Sequence, residues 1–92
     1  MIESYLYEGD YKHLMHQALI INDTKEHIVW IKDSDNFYYK CYGLPETISF
    51  CEKILLSLNS KNNFNVLKQK SALSNKQKLI FDSLLNFSKK LS

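Results

Sequence analysis

Arginine is absent from this sequence: apart from three histidines, all twelve basic side chains are lysines. The planar guanidinium is the preferred group for two-point contact with guanine or phosphate, so any such recognition must rely on point charges. Cysteine is scarce. Cys41 and Cys51 make two, where small secreted scaffolds usually carry four or more, which excludes a disulfide framework. With two glycines in the whole chain, a phosphate-cradling loop is absent. The longest apolar run is four residues, as in Ala18–Ile21, and no charged start leads into an apolar signal core. Neither a signal peptide nor a membrane span is expected, and a reducing cytoplasm is the expected location.

What is present suits one small domain. A chain of 92 residues buries only about 60–65% of its unfolded surface, so one modest core must hold it together. The composition supports that core: 45% of residues are hydrophobic and 13% aromatic, and large rings bury much area per position. The abundance of Asn, Ile, Lys and Tyr points to an A/T-rich coding sequence, as in many low-GC bacteria and their mobile elements. A bacterial or phage origin is therefore expected.

The charge is unevenly placed. Residues 1–52 carry four Lys against nine acids, a net −5, whereas residues 53–92 carry eight Lys against Asp82, a net +7. Such a split invites an ionic partner for the basic segment. The plainer alternative is that the two halves complement each other inside one fold or across a homodimer.

The first half reads as strands. Residues 2–8 (IESYLYE) favour β and stop at the turn signal Gly9-Asp10. Tyr11 to Leu19 reads both ways: Tyr11, Leu14, Met15, Ala18 and Leu19 fall at helical spacing, but Ala18–Ile21 reads as a buried strand. A strand over about 14–22 is favoured, with a short helix before it left open. HIVWIK (27–32) and FYYKCY (37–42) flank Asp33-Ser34-Asp35-Asn36, whose short polar side chains suit a turn. An antiparallel meander of three strands follows, or four if residues 2–8 join it.

The second half reads as helices. Gly43-Leu44-Pro45-Glu46 breaks the sheet, and Pro45 suits a first helical turn. Ile48, Cys51, Ile54, Leu55 and Leu58 form one stripe of a helix over about 45–58. Ser74-Asn75-Lys76-Gln77 fits a capping box, and Leu79 or Ile80, Leu84, Phe87 and Leu91 repeat at helical spacing to the end. Residues 64–73 read as a short helix or a turn. The expected architecture is α+β: a three- or four-stranded antiparallel meander, then two main helices packed on one sheet face.

Catalytic chemistry has little support. His13, His16, Cys41 and Cys51 could nominally supply four zinc ligands, but no Cys-x-x-Cys pair is present and buried free cysteines are common small hydrophobes. His27 is the candidate base nearest Cys41, yet no nucleophile signature surrounds either residue. Asp33 and Asp35 belong to turn chemistry. No enzyme activity, metal or cofactor is expected.

Two features point to binding. Strand alternation places Ile28 and Trp30 on one side, groups Tyr38 with Tyr42, and sets both apart from Phe37, Tyr39 and Cys41. Both hairpin faces are thus apolar, so one packs the helices while the other is either covered or a contact surface. Trp30, Tyr38 and Tyr42 are the candidate protein-binding anchors, because such rings bury large area with little rotamer loss. The second feature is Lys68, Lys70, Lys76 and Lys78, which flank the start of the last helix and could attract phosphates or an acidic protein. The expectation is a small non-enzymatic protein acting by stoichiometric protein–protein contact, of the inhibitor, immunity or regulatory kind. Nucleic-acid binding through the lysine cluster is the alternative.

Overall fold

The computed structural model describes residues 4–11, 14–34, 36–59 and 73–90, with the backbone alone for 4–11 and 90. Four strands come first: β1 (Ser4–Tyr11), β2 (Leu14–Ile21), β3 (Glu26–Asp33) and β4 (Asn36–Tyr42). Two helices follow, α1 (Pro45–Asn59) and α2 (Asn75–Lys90). The strands pair antiparallel in the order β1-β2-β3-β4, a plain meander. This is the expected α+β architecture, with the fourth strand present.

Turn chemistry sets the register. Asp33 pairs with Asn36, and Ser34 takes a left-handed φ of 54°, as the primed hairpin turns that match strand twist require. Ile21 pairs with Glu26 across a four-residue loop in which Lys25 N–H donates to the Asn22 carbonyl at 3.3 Å. Lys25 itself closes that loop in the left-handed region, with φ 57°.

The first turn falls later than the sequence suggests. Gly9 and Asp10 do not end the strand: they pair with His16 and Met15, and Tyr11 pairs with Leu14. A continuous ladder of cross-strand hydrogen bonds outweighs the local turn preference of a Gly-Asp dipeptide. The same ladder settles the ambiguous stretch, since Leu14 onward is strand rather than helix.

Both helices lie against the sheet face that carries Leu19, Ile21, Ile28 and Trp30, and these join Phe50, Cys51, Ile54, Ile80, Phe81, Leu84 and Phe87 in the main core. Phe37, Tyr39 and Cys41 pack on its margin, as strand alternation requires. In α1 Cys51 and Ile54 are buried and Leu58 packs on the core, as expected, while Thr47 and Phe50 are buried in place of Ile48, which is 37% exposed. In α2 the capping box forms as read: Gln77 N–H donates to Ser74 Oγ at 3.2 Å and Ser74 N–H donates to Gln77 Oε1 at 3.0 Å. The expected helix or turn over 64–73 lies outside the described residues, apart from Leu73.

Asn59, at the end of α1, reaches the free edge of β4. Its Oδ1 accepts from Phe37 N–H at 3.1 Å and its Nδ2 donates to the Phe37 carbonyl at 2.9 Å. One side chain thereby occupies the two backbone groups that an added strand would use there.

Candidate protein-binding surface

The sheet has a second face that neither α1 nor α2 covers. Ala18, Val29 and Ile31 form a small apolar cluster on it, already buried, with Leu14 packed alongside. Strand alternation puts Tyr38, Lys40 and Tyr42 of β4 on this face, in register with Ile31, Val29 and His27. Tyr38 is 48% exposed and Tyr42 78% exposed. A shallow depression of about 280 Å³ lies beside Tyr42, lined by His27, Val29, Lys40, Cys41 and Tyr42. The arrangement is a row of two rings and an ammonium along one strand, beside a small buried apolar cluster. The rings offer area and hydrogen-bonding hydroxyls.

Trp30 does not belong to this surface. It is 0% exposed, on the helix-facing side, and its Nε1–H donates to Ser83 Oγ at 2.8 Å. A residue wholly inside the core has no area to offer a partner, so of the three candidate anchors only Tyr38 and Tyr42 are exposed. The physical reason lies in α2, where a serine among the apolar positions gives the indole its acceptor. Gln17, beside Trp30 in register, shares that helix residue: its Nε2 donates to the Ser83 carbonyl at 2.7 Å. Neither Gln17 nor Ser83 stood out in the sequence. A glutamine alternating with Leu19 and Ile21 on one strand face was the available signal, because a buried amide needs a partner.

The lysine cluster is also divided. Lys76 is turned inward, and its ammonium pairs with the Glu26 carboxylate. Glu26 is 1% exposed, at the start of β3, and its Oε2 accepts the Leu44 N–H at 3.2 Å, just before α1. Burial would raise the pKa of Glu26. The Lys76 ammonium, the Thr47 and Thr24 hydroxyls and the Leu44 N–H together outweigh it, and the carboxyl is lowered to about 2. Thr47 contributes as a nearby dipole, since its Oγ1 makes no hydrogen bond of ordinary geometry among the described residues. The acidic and basic halves therefore meet directly at this pair, which ties β3 to the starts of both helices. Lys78 is exposed in the first turn of α2, whereas Lys68 and Lys70 lie outside the described residues.

The nominal chemical constellations are not assembled. Alternation sends His16 and His27 to the open face and Cys41 to the helix face, with Cys51 in the core below. His27 thus faces away from the Cys41 thiol, and His13 lies outside the described residues. No cluster of three or more His, Cys, Asp or Glu able to hold a metal occurs among the described residues. Nor, among them, is any helix long and apolar enough to cross a membrane. Compared with protein-family models, curated proteins and solved structures, the chain matches none.

Proposed function

We propose that this protein acts by stoichiometric, non-enzymatic contact with another protein, made through the open sheet face with Tyr38 and Tyr42 as anchors. The observation that carries this reading is the pair of exposed rings standing on a face that neither helix covers. Exposed aromatic side chains are what partner proteins bury most productively. The role is that of an inhibitor, immunity or regulatory accessory protein of bacterial or phage origin, working in a reducing cytoplasm. Size, the lysine-only basic composition and two free cysteines support it.

Nucleic-acid binding through Lys68, Lys70, Lys76 and Lys78 is less well supported, because the Lys76 ammonium is committed to Glu26. Titration of labelled single- and double-stranded nucleic acid at low salt separates the two readings. The protein-contact reading expects no saturable binding. A complex that weakens steeply as salt rises would overturn it in favour of phosphate recognition.

A further inference from the structure

The two cysteines stand far from chemistry in sequence and next to each other in space. Cys41 is on β4, in register with the core residue Ile28, and so faces the helices. Cys51 is on α1, two turns into the helix that packs against β4, and is fully buried. Cys41 packs on the core cluster that contains Cys51 and keeps part of its surface exposed. The two thiols are close enough for each to act on the other's ionisation. Both are free thiols, with nine residues between them.

We propose that Cys41 and Cys51 form a dithiol site that closes to an intramolecular disulfide when the oxidant is a low-molecular-weight disulfide such as glutathione disulfide. The order of events follows from exposure. Cys41 is the reachable sulfur, so it attacks first. Its sulfur bonds to one glutathione sulfur, the oxidant's S–S bond breaks, and one glutathione thiolate leaves. Cys51 then loses its proton to solvent and attacks the Cys41 sulfur of the mixed disulfide, expelling the second glutathione thiolate. The two protein thiols give up two electrons and two protons, and glutathione disulfide becomes two glutathione thiols. The product bond ties α1 to the edge strand β4 across the Gly43–Pro45 turn.

Burial raises the pKa of both thiols, with Cys51 well above the ordinary range. Closure is therefore slow at neutral pH and accelerates as the solution is made alkaline, because the thiolate is the attacking species. That reluctance makes the site one that stays reduced in an ordinary thiol pool and responds to sustained oxidation.

The test uses the full folded chain. It is incubated with glutathione disulfide at mildly alkaline pH, circular dichroism is recorded, and remaining thiols are alkylated after denaturation and counted by mass spectrometry. The expected product has no alkylatable thiol, a mass lower by two hydrogens, and unchanged dichroism. Cleavage after Glu46, which lies between the cysteines, should leave the two fragments joined until a reductant is added. Cys41→Ser should keep one alkylatable thiol and carry no glutathione. Two alkylatable thiols in the treated parent chain, a stable glutathione adduct at Cys41, or a dimer joined between chains would each overturn the proposal.

Discussion

Trp30 and Ser83 are joined across the layer between β3 and α2 by a 2.8 Å hydrogen bond from the indole N–H to the serine hydroxyl. The contact lies inside the core, so it bears on stability and not on recognition. Trp30→Phe removes the donor and part of the ring volume beneath α2. Urea unfolding should show a loss of roughly 2–4 kcal/mol with an unchanged slope. Under conditions where the variant is fully folded, its partner affinity should equal that of the parent chain. A selective loss of binding with stability intact would return Trp30 to the contact surface.

Glu26 makes the fold sensitive to acid. Its folded pKa of about 2 lies below the unfolded value near 4.5, so the stabilisation is fully present above pH 4.5. It is lost as pH falls from there towards 2, where the carboxylate takes up its proton in the folded state as well. The shift corresponds to roughly 3 kcal/mol for this buried group. Unfolding free energy measured between pH 2 and 6 should therefore fall steeply at the acid end. Glu26→Gln should flatten that dependence, whereas Lys76→Met, which strands the buried carboxylate, should cost about 2–4 kcal/mol at neutral pH.

Gly43 is constrained by the same carboxylate. Its φ is not positive, so conformation does not demand glycine, but a Cβ there would overlap Glu26 Oε2. Gly43→Ala should destabilise the protein by about 1–3 kcal/mol at neutral pH. In a Glu26→Ala background the added methyl has room, and the penalty should largely vanish. A double-mutant cycle reads this directly as a coupling energy well above the additivity error. Additive penalties would mean that Gly43 is required for some other reason.

Much of the fold was legible in the sequence because it rests on local signals. The β3–β4 hairpin follows from β-branched and aromatic runs around a polar turn, and the start of α2 from a capping box whose two hydrogen bonds form. What was not legible depends on residues distant in sequence. Gly9-Asp10 reads as a turn until the partner strand is known. Trp30 reads as a surface anchor until Ser83, 53 residues away, supplies its acceptor. Lys76 reads as a free charge until Glu26 is found 50 residues earlier. The alternation that groups Tyr38 with Tyr42 is local and holds, but alternation alone does not say which face the helices choose.

The proposed partner protein sits on the sheet face that neither helix covers, against Tyr38 and Tyr42. The most direct measurement captures partners from extracts of the source organism on the immobilised chain, then titrates the captured protein against purified variants. A Tyr38→Ala/Tyr42→Ala double variant, folded by circular dichroism, should bind at least about 30-fold more weakly, the loss expected from removing two anchor rings. Leu56→Ala, which trims an exposed apolar residue of α1, should bind like the parent chain. Equal affinity of the double variant and the parent chain, with Leu56→Ala or a lysine variant weakened instead, would contradict the account.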